Sequence, residues 1–246
     1  MKLLDRTLST PAENLACEEA LLDAGDVSGG GEVLRFWEAR ETFVVVGYAN
    51  KISTEVNVAA CAAAGIPIFR RCSGGGTVLQ GPGCLNYALI LGIDEAGPLR
   101  NITSANQFIM EKNREAIESL FKSEIENRKS EILVSGHTDL ALNGRKFSGN
   151  SQRRKKHCLL FHGSILLNCD LSLISKLLPM PSLQPGYRAS RSHDDFLINL
   201  NLPVAEVKAA LQTAWNAKET LEDFPWDETR WLAEGKYSTD EWNLKF

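Results

Sequence analysis

The sequence predicts an α+β fold in a single domain, on the basis of three observations. Short runs rich in β-branched and aromatic residues are bounded by glycine, proline or asparagine turns, which is typical of strands. Other stretches place apolar residues at helical spacing, which indicates helices with one buried face. The 246 residues show no break in composition that separates two domains. We therefore expect residues 1–246 to form one domain, with Val204 to Phe246 as a helical and irregular tail docked on it.

The N-terminal part is predicted to contain one helix and two strands. The helix begins at Thr10-Pro11-Ala12-Glu13, where Thr10 suits the N-cap and Glu13 completes a capping box. A glycine run at 29–31 is interpreted as a linker. The β-rich runs 33–37 and 42–47 follow it as strands, separated by a polar turn.

The central part continues with helices and strands in alternation. An alanine-rich helix over 56–64 ends at Gly65, and the strand 66–70 then enters a loop with three consecutive glycines. The run 85–91 is predicted to be an apolar strand. Apolar residues at helical spacing over 104–122 predict a long amphipathic helix.

The second half is predicted to open with a β-hairpin, because Asn143-Gly144 lies between two short strand-like runs. A largely apolar strand over 158–167 follows. Helices are expected over 171–178 and 204–217, where apolar residues return to helical spacing.

Charge and composition narrow the function classes. The formal net charge is −4 and the isoelectric point is about 5.7, which argues against nucleic acid as a partner. No apolar run is long enough to span a bilayer and the N-terminus lacks a signal-peptide pattern, so we expect a cytoplasmic protein without membrane contact. The six cysteines show no zinc-like spacing and are interpreted as free thiols.

The loop around the three consecutive glycines is the strongest candidate for a binding site. Gly74, Gly75 and Gly76 lack Cβ atoms, so their backbone N–H groups can approach a ligand closely. Arg70 and Arg71 precede the loop and supply cationic donors suited to a carboxylate or a phosphate. The alternative is a flexible surface hairpin with two unrelated arginines.

Four polar residues in or beside predicted strands are further candidates, each with a structural alternative. Asn86 can hydrogen-bond a ligand or hold the preceding turn, and the sequence favours neither. The hairpin places Asp139 and Lys146 on neighbouring strands, where they can face each other; singly, they are typical of a turn cap and of a solvated surface. His162 lies in an apolar strand, and we interpret it as a pocket-lining residue rather than a base.

Five motifs follow one another along the chain and are best considered together. They are Arg70-Arg71-x-Ser73-Gly74-Gly75-Gly76-Thr77-Val78, Gly83-x-Leu85-Asn86-Tyr87, Asp139, Gly144-Arg145-Lys146-Phe147-Ser148-Gly149-Asn150-x-Gln152 and His162-Gly163-Ser164-Ile165-Leu166. Their composition and order resemble the lipoate-protein ligase and octanoyltransferase family. The helix that contains Glu19, the strand at 34–37 and the segments after Tyr187 and Lys236 are also similar, so the resemblance covers nearly the whole chain.

The resemblance implies a catalytic domain like that of the biotin and lipoate ligases, in which a mixed sheet and surrounding helices enclose a tunnel for a medium-chain acyl group. In the ligases, lipoate and ATP form lipoyl-adenylate, and the acyl group then passes to a lysine of a lipoyl domain. The expected cofactors are ATP and Mg²⁺, with lipoate as the substrate. The expected partners are lipoyl-domain acceptors, either the E2 subunit of a 2-oxoacid dehydrogenase or the glycine cleavage H protein.

The resemblance also implies roles for individual residues. Lys146 is expected to be catalytic, because a compact cation can stabilise negative charge at both an acyl carbonyl and an α-phosphate. Asp139 is expected to contact the adenylate or magnesium, or to orient Lys146. The residues expected to bind substrate or adenylate are Arg70, Arg71, Ser73, Gly74, Gly75, Gly76, Thr77, Val78, Asn86, Asp139, Ser148, Gly149, His162 and Gly163.

Two departures from the family's patterns bear on the reaction. Larger bacterial ligases carry a C-terminal accessory domain that this sequence does not show, so we expect the chain to act alone or with a separate accessory chain. One transferase branch, which moves octanoyl from an acyl carrier protein through a cysteine thioester, has Pro-Cys-Gly where this chain reads Leu178-Pro179-Met180-Pro181. A thioether cannot replace a thiolate nucleophile.

The sequence therefore favours an ATP-dependent ligase over an octanoyltransferase. These motifs do not define the thiol position of a second transferase branch, so Cys72, Cys84 and Cys158 stay open as candidates for it. A third interpretation is a lipoyl-binding protein without catalysis. The presence of Lys146 argues against it, because a binding pocket alone has less need of a cation at the carbonyl.

Overall fold

The computed structural model describes residues 1–28, 31–121 and 131–246. Its strands form two β-sheets that helices surround, which is the mixed α+β architecture that the sequence predicts. The interpreted linker at 29–30 and the predicted helix end at Lys122 lie outside the described residues. Within the described ranges, the helices are too short or too polar to cross a bilayer.

The strands divide into a large and a small sheet. In chain order they are β1 (Lys2–Asp5), β2 (Val33–Glu38), β3 (Phe43–Val46), β4 (Ile68–Arg70), β5 (Val78–Gln80), β6 (Cys84–Gly92), β7 (Ile132–Ser135), β8 (Asp139–Leu142), β9 (Arg145–Arg154), β10 (Cys158–Leu166) and β11 (Glu219–Thr220). The large sheet has the order β11-β1-β2-β6-β10-β9-β8-β7, with parallel pairing at the β11-β1-β2 edge and antiparallel pairing elsewhere.

The helices that the sequence predicts lie close to their predicted positions, with one exception, and other short helices lie between and after them. In chain order the helices are α1 (Pro11–Ser28), α2 (Ile52–Glu55), α3 (Val58–Ala63), α4 (Ile102–Glu118), α5 (Leu171–Leu177), α6 (His193–Phe196), α7 (Val204–Ala214), α8 (Trp226–Leu232) and α9 (Asp240–Asn243). The capping box of α1 is confirmed, because Glu13 N donates to Thr10 Oγ1 at 3.1 Å and Thr10 N donates to Glu13 Oε2 at 2.9 Å.

The predicted single helix over 56–64 is wrong in its first two residues. Val56 is extended, and Asn57 accepts a hydrogen bond from Ala60 N at 3.2 Å, so α3 begins only after Asn57. An asparagine side chain that caps the following turn competes with helix continuation, which separates α2 from α3.

The two faces of the large sheet have different coverings. Odd-numbered β6 residues, such as Leu85 and Leu89, pack in one apolar cluster with residues of α4 and α7. Even-numbered residues Ala88 and Ile90 pack against α1 on the other face. Because side chains alternate along a strand, Asn86 also projects to this second face.

The small sheet carries the glycine loop. Its central strand β3 pairs with β4 in parallel and with β5 antiparallel, so β4 and β5 are not adjacent. The loop at 71–77 therefore passes across the end of β3 rather than forming a hairpin, and Tyr48 N donates to Ser73 O at 2.8 Å. This arrangement excludes the flexible-hairpin alternative and places the loop opposite the second face of the large sheet.

The C-terminal segment packs on α1 and β4. Tyr237 is fully buried, and its hydroxyl donates to Glu19 Oε2 at 2.8 Å. Asn243 Oδ1 accepts from Arg70 N at 2.9 Å. These contacts tie the end of the chain to the strand that leads into the glycine loop.

Candidate functional site

A cavity of about 580 Å³ lies between the second face of the large sheet and the small sheet. Most of the residues that the sequence predicts for the site line it: Arg71, Gly75, Gly76, Thr77, Val78, Asn86, Asp139, Lys146, Ser148, Gly149, His162 and Gly163. The structure places Arg70, Ser73 and Gly74 beside the cavity and outside its lining.

Lys146 and Asp139 form an ion pair on one wall of the cavity. Lys146 Nζ lies 2.8 Å from Asp139 Oδ1, and Tyr187 donates its hydroxyl to Asp139 Oδ2 at 2.8 Å. The predicted Asn143-Gly144 turn is present, with both residues at positive φ, so it brings β8 and β9 together as expected. The carboxylate thereby holds the ammonium group at the cavity wall.

An irregularity in the hairpin sets the position of Lys146. The register shifts between Leu140 and Ala141, so Asp139 pairs with Gly149 and not directly with Lys146. The lysine side chain crosses over Gly149, where a Cβ atom would lie 2.7 Å from Lys146 Nζ. The bare backbone at residue 149 therefore leaves room for the ammonium in this position beside Asp139.

Arg71 shapes the glycine loop from within. Its guanidinium donates to Gly74 O at 2.6 Å and to Gly76 O at 2.7 Å. In a trans peptide the carbonyl and the next N–H point in opposite directions, so the N–H groups of Gly75 and Thr77 point away from Arg71. Burial lowers the pKa of Arg71 to about 10, which leaves the guanidinium charged at neutral pH. The loop thus presents oriented backbone donors.

Arg70, although adjacent to Arg71 in the chain, bonds to the protein backbone and not to the cavity. Its Nη1 donates to the carbonyl oxygens of Gly47, Tyr48 and Asn50 at 2.8, 3.1 and 2.9 Å, and the side chain is fully buried. These backbone carbonyl groups occupy the Arg70 guanidinium, which does not line the cavity. Only Arg71 lines it.

His162 belongs to a buried chain of hydrogen bonds. Its Nδ1 lies 2.5 Å from Glu18 Oε2, and its Nε2 lies 2.5 Å from Ser73 Oγ. Ser73 Oγ in turn lies 2.8 Å from Ser151 Oγ, which reaches the cavity. Ser73, expected to contact the ligand, lies outside the lining and links two residues that do line the cavity, Ser151 and His162.

Sequence reasoning missed Glu18, whose signal is a carboxylate within the apolar face of α1. Trp37 Nε1 donates to Glu18 Oε1 at 2.8 Å, and Arg35 Nη1 lies 3.6 Å from the same oxygen. Burial alone would raise the pKa of Glu18, but the charge and hydrogen bond of His162, with Arg35 and Trp37, lower it below its ordinary value. Glu18 is therefore a buried carboxylate anion at neutral pH.

Two buried polar groups in the cavity wall lack a hydrogen-bond partner within the described part of the chain. They are Asn86 Nδ2, a donor, and Gln80 Oε1, an acceptor. Unpaired buried polar groups are costly, so both are suited to bonding a polar ligand. From the sequence, Asn86 could contact a ligand or hold the preceding turn. Its unpaired Nδ2 in the cavity wall favours the ligand contact.

The cavity has a closed apolar end and an exposed rim. Leu15, Trp37 and Val45, all at most 5% exposed, line the closed end. The loop over 179–185 forms the rim, where Leu183 is 89% exposed. Lys146 and the glycine loop lie on walls of the same cavity. This arrangement suits an amphiphilic ligand with a buried chain and a polar group.

The cysteines all fall within the described residues, and none of the six lines the cavity. Burial raises the pKa of Cys72 to about 12 and that of Cys158 to about 11. Cys84 is also buried. The three cysteines left open as acyl carriers therefore lack both access to the cavity and thiolate character.

Comparisons with known proteins agree on one family. The family model of the lipoyl protein ligase A/B catalytic domain matches residues 10–216. Among curated relatives, octanoyltransferase LipM of Anoxybacillus flavithermus is 26% identical over 272 residues, covering 99% of this chain and 98% of the relative. Lipoate-protein ligase A subunit 1 of Thermoplasma acidophilum is 27% identical over 253 residues, covering 96% and 94%.

Two solved structures show the same fold. A putative lipoate protein ligase from T. acidophilum with bound lipoic acid has a TM-score of 0.82 and 23% identity, covering 99% of this chain and 98% of that chain. A lipoate-protein ligase A bound with ATP has a TM-score of 0.75 and 26% identity, with the same coverage of 99% and 98%. The fold class predicted from the sequence is confirmed.

The lowered pKa of Glu18 predicts a specific acid sensitivity of the fold. The folded chain holds this carboxyl ionised more strongly than the unfolded chain, so its stabilising contribution is present above the ordinary carboxyl pKa and is lost as the pH falls through the folded-state pKa. We expect Glu18→Gln to flatten the fall in the free energy of unfolding between about pH 5 and pH 3.

Urea denaturation at several pH values measures this slope. Glu206→Gln, at an exposed position of α7, is the matched control and should retain the slope of the unmodified chain. Equal slopes for Glu18→Gln and the unmodified chain would contradict the prediction.

Proposed function

From the premise that this chain belongs to the lipoyl protein ligase A/B catalytic-domain family, which its residues 10–216 match, we propose that it is an ATP-dependent lipoate-protein ligase. In this proposal the enzyme converts lipoate and ATP to lipoyl-adenylate and pyrophosphate. It then transfers the lipoyl group to a lysine of a lipoyl domain and releases AMP.

The substrate binds with its apolar chain at the apolar end of the cavity and its carboxylate at the polar groups. The acyl chain occupies the closed end beside Leu15, Trp37 and Val45. Binding there is favourable because it removes the apolar surface of the chain from water. The carboxylate reaches Lys146 and the N–H groups of Gly75 and Thr77. The nucleotide lies toward the rim. This orientation leaves the reacting carboxyl carbon between the cation and the loop.

In the first half-reaction, a carboxylate oxygen attacks the α-phosphorus of ATP and pyrophosphate leaves. Negative charge on the phosphoryl oxygens is met by Lys146, which Asp139 holds in place. The Asp139 oxygens already contact Lys146 and Tyr187, which supports the orienting role over a direct metal contact. Magnesium neutralises the phosphates of bound ATP, and the described residues contain no cluster of three metal-ligating side chains to hold it independently.

In the second half-reaction, the acceptor lysine attacks the acyl carbonyl as a free amine and AMP leaves. The developing oxyanion is stabilised by Lys146 Nζ and the donors of the glycine loop. The proton that the acceptor amine loses as the amide bond forms passes to solvent. The same cation therefore serves both half-reactions, because both build negative charge at the same place.

One observation carries the choice of an ATP-dependent ligase: none of the six cysteines, all of them in described parts of the chain, lines the cavity. A thioester route requires a thiolate within reach of the acyl carbonyl. The similarity to octanoyltransferase LipM favours the second candidate, transfer of octanoyl from an acyl carrier protein to the same kind of lysine. A lipoyl-binding protein without catalysis is the least supported, since family membership and Lys146 both favour an enzyme.

The proposed partners are a lipoyl-domain acceptor and a second, accessory chain. One relative, which aligns with this chain over 94% of its own length, is named as subunit 1 of a lipoate-protein ligase. This name supports an accessory chain here. The E2 subunit and the H protein stay predictions as acceptors, and the cytoplasm stays a prediction as the location.

The proposed reaction predicts pyrophosphate release that depends on lipoate. We expect the purified chain with ATP and Mg²⁺ to release pyrophosphate when lipoate is added. A lipoyl-domain acceptor should then gain the mass of one lipoyl group in intact-mass measurement. Omission of ATP should abolish both signals. Acceptor octanoylation from octanoyl carrier protein without ATP, together with no pyrophosphate from lipoate or octanoate, would establish the transferase instead.

The assigned role of Lys146 predicts that its replacement abolishes catalysis and leaves the fold intact. We expect Lys146→Ala to lower kcat/KM for acyl transfer by at least about 100-fold, because it removes a charge at the developing oxyanion. Lys208→Ala is the matched control, since Lys208 Nζ also bonds carboxylates, Asp5 at 2.9 Å and Glu38 at 2.8 Å, but lies outside the cavity. Full activity of a folded Lys146→Ala protein would refute the assigned role.

A further inference from the structure

Cys84 and Cys169 are placed together by two separate elements. Cys84 begins β6, Cys169 lies between β10 and α5, and their Sγ atoms are 2.8 Å apart. We propose that these two residues are a reversible dithiol–disulfide modification site, with Cys169 as the attacking thiol and Cys84 as the resolving thiol. The site is distinct from the catalytic cavity, and the proposal does not depend on which acyl donor the enzyme uses.

The backbone holds the two cysteines together independently of their sulfur atoms. Leu167 N and Asn168 N both donate to Gly83 O, at 3.0 and 3.1 Å. Gly83 has a φ of +84°, and a Cβ atom there would lie 2.2 Å from Asn168 O. Only glycine permits this close approach, so residue 83 fixes the segment before Cys169 against the turn before Cys84.

A second clamp fixes Cys169 from the other side. Cys169 N donates to Asn199 Oδ1 at 3.0 Å, and Asn199 Nδ2 donates to Cys169 O at 2.8 Å. Bonded sulfurs in a disulfide lie about 2.05 Å apart, so closure needs a displacement of less than about 1 Å. The separation of the two sulfur atoms is therefore compatible with closure of the bond.

The two thiols differ in access and in acidity. Cys169 is half-buried, whereas Cys84 and the other four cysteines are buried, and all six lie in described parts of the chain. The hydrogen bond between the two thiols lowers the pKa of one of them, and Cys169 is the one with access to solvent. Thiol exchange proceeds through the accessible thiolate. Cys169 is therefore the position at which an external disulfide reacts first.

The reaction is a balanced thiol–disulfide exchange with a low-molecular-weight disulfide as oxidant. The Cys169 thiolate attacks one sulfur of the oxidant, forms a mixed disulfide and releases one thiolate. Cys84 Sγ, after losing its proton to solvent, attacks Cys169 Sγ and displaces the second small thiolate. Two protein thiols are oxidised to one disulfide, and the external disulfide is reduced to two thiols.

The bond would connect two parts of the cavity wall. Asn86 follows Cys84 by two residues on β6 and lines the cavity. Ile174, on the helix that follows Cys169, also lines it, and packs in the same apolar cluster as Cys84. A disulfide here ties the start of β6 to the segment leading into α5. We expect the oxidised protein to be the more stable form.

Oxidation of the full chain by oxidised glutathione, followed by peptide mapping of the native protein, tests the proposal. We expect one intramolecular disulfide that joins Cys84 to Cys169, a mass loss of two hydrogen atoms and a rise in Tm of about 5–15 °C that dithiothreitol reverses. Cys61→Ala, a buried cysteine of the same apolar cluster, is the matched control and should still form the bond.

Two variants separate the roles of the thiols. We expect Cys84→Ala, checked for native Tm, to retain a stable glutathione adduct on Cys169 because the resolving thiol is absent. Cys169→Ser should show neither the bond nor an adduct at Cys84. A native protein that keeps both thiols free in excess oxidised glutathione, or that joins other cysteines, would overturn the proposal. So would an adduct on Cys84 in Cys169→Ser.

Discussion

The ion pair between Lys146 and Asp139 is the interaction on which the proposed chemistry depends. A free lysine at a hairpin would extend into solvent, but the register shift after Leu140 and the bare backbone of Gly149 let the side chain fold back to its carboxylate. Tyr187 holds the other carboxylate oxygen, so the position of the ammonium is determined from two elements. A preorganised cation costs little reorganisation when charge develops.

The glycine loop forms the opposite wall of the cavity, and buried charged side chains hold it in place. Arg71 bonds the carbonyl groups of the glycine loop and so orients the loop's N–H groups. Behind it, Glu18 and His162 anchor Ser73 at the start of the loop. These groups are almost completely buried and paired, which makes them part of the fold as much as of the site. The conformation of the loop is therefore set by bonds within the chain.

Local signals in the sequence predicted much of this architecture. The capping box at Thr10 and the Asn143-Gly144 turn both depend on neighbours in sequence, and both are present. The pairing of Glu18 with His162 joins residues 144 positions apart, so no local pattern announces it. Arg70 and Arg71 are alike in sequence, and only contacts with distant parts of the chain, such as that of Asn243 with Arg70, give them different environments. Alanine content alone predicts a helix that starts at Val56, whereas the Asn57 side chain caps the helix and starts it at Val58.

In the proposed mechanism, Lys146 and the glycine loop meet at one carboxyl-derived group inside a single cavity. A crystal structure of the chain with a non-hydrolysable lipoyl-adenylate analogue bound would locate that group. We expect its acyl carbonyl or phosphate-like oxygen within hydrogen-bond distance of Lys146 Nζ and of the Gly75 or Thr77 amide, with the acyl chain beside Leu15 and Trp37. An analogue bound elsewhere, with Lys146 directed into solvent, would contradict the mechanism.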